Sequence, residues 1–158
     1  MPVHYGEDDR QSHEWSVPVN DLNLGKLVTL IGAGVVFVFS FLPWISVSGF
    51  SSWNAWSSGF FPMATWAPVL AVVIGFLVAA DMFKFINLPE KYWEFSLDHV
   101  VLIGSIFAFI VTISYLIMDK SGGGIGAGLI LCFLGTVAMV AGFVMDKLGV
   151  GFDPNATN

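Results

Sequence analysis

The chain has 158 residues, of which 56% are hydrophobic and 11% are charged, and its formal net charge is −6. A soluble domain typically has about 25% charged residues, so this composition excludes a large water-soluble core and indicates a membrane protein. The six Lys and Arg residues form no basic stripe, which excludes the electrostatic pattern of a nucleic-acid-binding protein.

The first 21 residues are acidic and show no hydrophobic periodicity. A segment with little apolar surface to bury stays disordered. We therefore predict that residues 1–21 form a disordered cytoplasmic tail. Its acidic residues are Glu7, Asp8, Asp9, Glu14 and Asp21.

Four stretches without a charged residue or histidine follow, at 27–45, 63–80, 100–118 and 125–145. A membrane-spanning helix needs about 20 mostly apolar residues. A charge at the membrane centre costs about 2.5–3.5 kcal/mol, whereas each Leu, Ile, Phe or Val contributes roughly 0.3–0.6 kcal/mol to insertion. Each stretch therefore predicts a transmembrane helix.

These four helices predict an all-α membrane protein with an up-down bundle. We assign residues 22–148 to this transmembrane domain and residues 149–158 to a short cytoplasmic tail. The connection between the third and fourth spans is short and glycine-rich, which favours an antiparallel hairpin.

Basic residues predict the orientation of the bundle. In a four-span protein five of the six lie on one side, and only Lys120 lies on the other. The positive-inside rule then places both termini in the cytoplasm. We predict that the protein lies in the plasma membrane. The five are Arg10, Lys26, Lys84, Lys91 and Lys147.

The connection 46–61 between the first two spans is aromatic and contains no charged residue. Such a loop has little reason to project into water, because its rings can enter the membrane interface. It forms either a lid over the outer end of the bundle or a docking surface for a partner. The candidate surface residues are Trp44, Phe50, Trp53, Asn54, Trp56 and Phe60.

The connection between the second and third spans is charged instead. Asp81, Glu94, Asp98 and His99 lie there, and a proton-handling cluster is one interpretation of them. We favour a solvated turn, because proton relays in transporters place ionisable groups at membrane depth.

Small residues predict where the helices touch, since close packing rather than hydrophobicity joins helices in lipid. They recur every fourth residue in the second and third spans and every seventh residue in the fourth. Gly25 and Gly32 repeat the seven-residue spacing near the first span. These faces serve either a closed monomer or self-association. The candidate packing residues are Ala67, Ala71, Gly75, Ala79, Gly104, Ala108, Gly128, Gly135 and Gly142.

Short motifs around the aromatic loop resemble a family of small four-span (tetraspan) integral membrane proteins of actinobacteria that has no assigned activity. The motifs are Leu42-Pro43-Trp44, Ser48-Gly49-Phe50, Asn54-Ala55-Trp56, Gly59 and Leu88-Pro89. The resemblance implies a plasma-membrane protein of a Gram-positive bacterium, and it implies no catalytic residues.

Cys132 is the only cysteine, so it cannot form a disulfide within the chain and offers too few thiolates for a metal site. We expect no cofactor, no metal and no catalytic residues, and thus a protein that is not an enzyme. The predicted function is an accessory, scaffold or regulatory subunit of a cell-envelope complex. The alternative is a small oligomeric transporter or channel component. The expected partners are membrane lipids and either another membrane protein or a second copy.

Overall fold

The structure is a computed structural model, and it describes residues 23–47, 51–57, 63–84, 91–92, 95–119 and 123–150. The predicted disordered tail 1–21 lies outside the described residues. The predicted tail 149–158 lies outside them from residue 151 onward.

Four helices make up most of the described chain: α1 (Leu24–Phe39), α2 (Met63–Phe83), α3 (Leu97–Ile117) and α4 (Ala127–Lys147). The three helices α2, α3 and α4 have 21 residues each and are long and apolar enough to cross a membrane, whereas α1 is a shorter apolar helix of 16 residues. The prediction of a mostly helical fold whose long helices could cross a membrane is confirmed.

Five short strands occur in the described residues and were not predicted. They are β1 (Ile45–Val47), β2 (Ser51–Trp53), β3 (Lys91–Tyr92), β4 (Phe95–Ser96) and β5 (Gly124–Ile125). Strand β1 lies between β2 and β5 in an antiparallel sheet, and β3 pairs with β4. Strands of two or three residues are too short to show an alternating hydrophobic pattern.

Helix α1 ends at Phe39, six residues before the end of the predicted span 27–45. The hydroxyl of Ser40 donates to the carbonyl oxygen of Phe37 at 2.6 Å, which provides a local partner at the helix end. Five residues after Ser40 the chain enters β1, and the intervening Pro43 has no N–H to continue a helix. At the other end, the side chain of Asn23 accepts from the N–H of Gly25 at 2.9 Å and caps the helix.

The helices form a ring in which each packs against its chain neighbours and α1 closes against α4. We call the end that carries the sheet β2-β1-β5 the capped end. We call the opposite end the charged end, because Lys26, Asp81, Asp98 and Asp146 lie there.

The contact between α1 and α4 is the closest in the bundle. A Cβ atom on Gly32 would lie 2.7 Å from the carbonyl oxygen of Gly135, and one on Gly142 would lie 2.5 Å from the backbone nitrogen of Thr29. A Cβ atom on Gly128 would likewise lie 2.5 Å from the carbonyl oxygen of Leu42, at the capped end. Each glycine therefore lets backbone approach backbone.

The small residues of α2 and α3 also lie at helix contacts. Gly75 faces Ala33 of α1, and Gly104 faces Ile74 of α2. Ala67, Ala71 and Ala108 are fully buried, whereas Ala79 is only partly buried and Ala80 is fully buried instead.

The outward faces of the helices are apolar, which is compatible with lipid around them. Phe76, Ile103 and Ile110 each expose more than half of their surface. The interior holds two apolar clusters. The one nearer the capped end contains Trp44, Ala64, Leu129 and Cys132, and the other contains Val36, Ile74, Val101 and Met139.

Candidate functional site

Two loops that are far apart in sequence meet at the capped end. The backbone N–H of Trp44 donates to the carbonyl oxygen of Trp53 at 2.7 Å, and the N–H of Gly126 donates to the carbonyl oxygen of Trp44 at 2.8 Å. The N–H of Gly128 donates to the carbonyl oxygen of Pro43 at 3.0 Å. The sheet β2-β1-β5 with the turn 54–57 after it, which we call the cap, is therefore tied by backbone bonds to the start of α4. This supports the interpretation as a lid over the bundle.

Trp44 belongs to the core and not to the predicted interaction surface. Its exposed fraction is 0%, and its ring packs edge-on against Tyr115 with 5.6 Å between the centroids. The inclusion of Trp44 among surface residues is therefore corrected. An uncharged aromatic loop does not reveal which ring folds back under the sheet.

Trp53 and Trp56 are exposed at the surface, with exposed fractions of 44% and 39%. Asn54 shapes the turn between them: its side-chain oxygen accepts from the N–H of Trp56 at 3.0 Å, and its amide donates to the carbonyl oxygen of Phe41 at 3.3 Å. Asparagine commonly forms such turns with its own backbone. The other two predicted surface residues, Phe50 and Phe60, lie outside the described residues.

The indole of Trp56 is fixed by two contacts. Its Nε1 donates to the hydroxyl of Ser40 at 2.9 Å, and its ring stacks on Phe41 with 5.6 Å between the centroids. Phe41 in turn meets the edge of Phe37 at 5.5 Å. A row of rings thus runs from the outer face of α1 onto the cap.

At the charged end, one charged residue from each helix lines a small cavity. Lys26 comes from α1, Asp81 from α2, Asp98 from α3 and Asp146 from α4. The cavity volume is about 30 Å³, which is enough for one or two water molecules. The cavity is too small for an organic solute of ordinary size.

Three polar contacts join the helices around this cavity. Nζ of Lys26 lies 2.6 Å from Oδ2 of Asp81, which ties α1 to α2. Lys147 pairs with Asp98 and ties α4 to α3. The amide of Asn23, just before α1, donates to Asp146 on α4.

Lys26 precedes the uncharged span 27–45 and is the central cation of this cavity. Burial acts to lower the pKa of Lys26, but the hydrogen bond to Asp81 and the negative charges of Asp81, Asp146 and Asp98 outweigh it and raise the pKa above 10.5. The ammonium group is therefore held in its charged form.

The structure brings together only part of the predicted ionisable cluster. Asp81 and Asp98 line the cavity, whereas His99 is exposed with its Nδ1 2.6 Å from the hydroxyl of Ser96. Glu94 lies outside the described residues. Sequence reasoning did not include Lys26 and Asp146, although both flank uncharged spans at the same predicted membrane face.

No group of three or more His, Cys, Asp or Glu residues that could hold a metal ion occurs in the described part of the chain. No protein-family model matches this chain, and the comparisons with curated proteins and with solved structures found no significant match either.

Proposed function

We propose that this chain is a non-enzymatic integral membrane protein that serves as an accessory, scaffold or regulatory subunit of a cell-envelope complex. The supporting observation is a bundle whose ionic side chains bind its own helices at the charged end, while its helices present apolar faces outward. Such a body offers partners a rigid surface within the membrane.

The packing of α1 supports four membrane crossings. The contacts of α4 with Leu42 and with Gly25 lie near Gly128 and Asp146, about 27 Å apart along α4 at 1.5 Å per residue. That length approaches the hydrocarbon thickness of about 30 Å. The α1 segment therefore runs antiparallel to a membrane-length helix over most of that helix, even though only 16 of its residues are helical.

The placement of lysines supports cytoplasmic termini. Lys26, Lys84 and Lys147 lie at the charged end, at the start of α1 and the ends of α2 and α4. Lys120 lies in the sequence between α3 and β5. The positive-inside rule favours the charged end as the cytoplasmic one. The resemblance to actinobacterial tetraspan proteins adds the plasma membrane of such a bacterium as the predicted location.

Cysteine labelling of intact cells tests the topology. Ser52→Cys at the capped end should react with a membrane-impermeant maleimide, whereas Leu148→Cys at the charged end should react only after the cells are opened. Cys132→Ala removes the native buried thiol from both variants. Equal labelling of both sites in intact cells, or recovery of the chain without detergent, would reject the four-span orientation.

Photo-cross-linking in native membranes tests the proposed role. The probe residue p-benzoylphenylalanine would replace Ile103 or Ile110 on the outward face of α3, and Leu134 on α4 serves as the matched position. A partner should give a discrete adduct at one face and not at the other. Adducts with lipid alone at every position would remove the accessory role while leaving the membrane topology intact.

The charged-end cavity favours the alternative of a small transporter or channel component, because one ionisable residue from each helix meets there. Against it, the apolar cluster of Val36, Ile74 and Met139 fills the bundle beyond that cavity. Ion and solute flux into liposomes that carry the purified chain tests this alternative. Flux that disappears in Lys26→Met would support it, and flux equal to that of empty liposomes would reject it.

A further inference from the structure

The sheet at the capped end has one apolar and one polar face. Ile45 on the central strand pairs with Trp53 on β2 and with Ile125 on β5. Residues directly opposite each other across strands share a face, and the next residue along each strand lies on the other face. The second face therefore carries Ser52, Ser46 and Gly124, which are paired in the same way.

Burial tells which face covers the bundle. Ile45 is buried, so the apolar face lies against the helices. Trp53 and Ile125, on the two edge strands, are nearly half exposed and therefore form a rim around the sheet. Ser46, Ser52 and Gly124 are all exposed on the face turned away from the bundle.

The apolar rim continues onto the outer surface of the helices. The stack of Trp56 on Phe41 joins the cap to α1, and Phe41 is 55% exposed. Because Nε1 of Trp56 is bonded to the buried Ser40, the carbon part of the ring is what remains at the surface. Trp66, on the first turn of α2, extends the rim around the bundle.

The absence of charged residues indicates which medium, water or lipid, surrounds this rim. No charged residue occurs between Lys26 and Asp81 in the sequence, so the connection that builds β1 and β2 has none. A water-exposed surface typically carries about 25–35% charged residues. Aromatic rings with small polar neighbours instead match the layer between lipid headgroups and acyl chains.

We propose that the rim of Phe41, Trp53, Trp56, Trp66 and Ile125 lies in the headgroup–acyl boundary of the leaflet at the capped end, so that its partner is phospholipid. The face of Ser46, Ser52 and Gly124 then meets the water above that layer. This inference rests on the proposed membrane-spanning role, and it adds that the cap is sunk into the leaflet and does not project from it.

Two adjacent residues give a matched test, because Ser52 and Trp53 lie on opposite faces of the same strand. Ser52→Cys and Trp53→Cys, each in a Cys132→Ala background, would carry an environment-sensitive NBD fluorophore. The full chain would be reconstituted into phosphatidylcholine vesicles. Aqueous iodide should quench the label at residue 52 several-fold more than the label at residue 53, and a lipid with a shallow nitroxide should quench them in the opposite order.

A second pair guards against misfolding of the tryptophan variant. Gly124→Cys and Ile125→Cys repeat the comparison on β5, where a Cβ atom on Gly124 has ordinary contacts. Equal iodide quenching within both pairs would overturn the inference. Shielding of the rim labels that disappears on dilution with lipid would identify a second copy as the occupant and would also overturn it. Extraction of the chain by alkaline carbonate would instead reject the membrane-spanning role itself.

Discussion

Gly32 of α1 lies directly against Gly135 of α4, and a Cβ atom on Gly135 would lie 2.9 Å from the carbonyl oxygen of Gly32. Neither residue can gain a side chain without separating the two backbones. The seven-residue spacing from Gly25 to Gly32 and from Gly135 to Gly142 repeats this contact one step closer to the charged end. The α1–α4 pair is therefore the part of the bundle that tolerates added volume least.

Gly32→Ala should destabilise the protein by about 1–3 kcal/mol, the range for overpacking a close contact. Gly34→Ala, on the same helix, is the matched control, because its Cβ atom would meet nothing within 4 Å. The control should be neutral or stabilising, since alanine favours helix by about 0.8–1.0 kcal/mol relative to glycine. Thermal unfolding in detergent measures both. Equal effects of the two substitutions would contradict the close-contact interpretation.

Trp44→Ala should destabilise the protein by about 3–5 kcal/mol, because it empties a fully buried aromatic site under the cap. Trp66→Ala removes the same side chain from an exposed position, and we expect a change of about 0.5 kcal/mol or less. Limited proteolysis of the cap and measurement of the unfolding temperature distinguish the two variants. A cap equally resistant in both variants would show that Trp44 does not hold it.

Lys26→Met should destabilise the charged end by about 1–2 kcal/mol, because Asp81 loses a partly buried ion pair. Lys84→Met is the control: Lys84 lies 4.0 Å from the other oxygen of Asp81 and is far more exposed. We expect an effect of about 0.5 kcal/mol or less for the control. Chemical unfolding in detergent compares the two, and a larger loss in the control would refute the assignment.

Lys26 also predicts that the stability of the protein depends on pH. The folded protein raises the pKa of Lys26 above its ordinary 10.5, so the stability from this group is fully present below pH 10.5. It is lost as the pH rises through the higher folded-state value. The stability difference between the wild type and Lys26→Met should therefore narrow only above pH 10.5. A difference that narrows in the neutral range would assign the effect to another group.

Thr112 and Thr136 join α3 to α4 by a buried hydrogen bond of 3.1 Å between their hydroxyls. Each hydroxyl also lies within bonding distance of a carbonyl of its own helix, so the interhelical bond should contribute little. A double-mutant cycle with Thr112→Val and Thr136→Val should give a coupling free energy of about 0.6 kcal/mol. A coupling well above 2 kcal/mol would show that the two helices depend on this bond.

The helices could be predicted because each contains a long uncharged run, and α2 begins at residue 63 as predicted. The glycine spacing in α1 and α4 indicated a contact face, but a spacing does not name the helix that covers it. The α1–α4 pairing therefore became clear only in the structure, where Gly32 meets Gly135.

The sheet could not be predicted for a different reason. It depends on contacts between distant residues, such as the pairing of Ile45 with Ile125. A local pattern carries no signal for such pairs. The same holds at the charged end, where Lys26 and Asp146 lie far apart in the chain and share one cavity.

The non-helical turn after α1 has a consequence for the order of biogenesis. The carbonyl oxygens of Pro43 and Trp44 accept from Gly128 and Gly126, which follow the first three helices in the chain. Carbonyls without donors are costly in hydrocarbon. A chain that ends before residue 126 therefore lacks both donors, and the turn after α1 gains its backbone partners only once the start of α4 is in place.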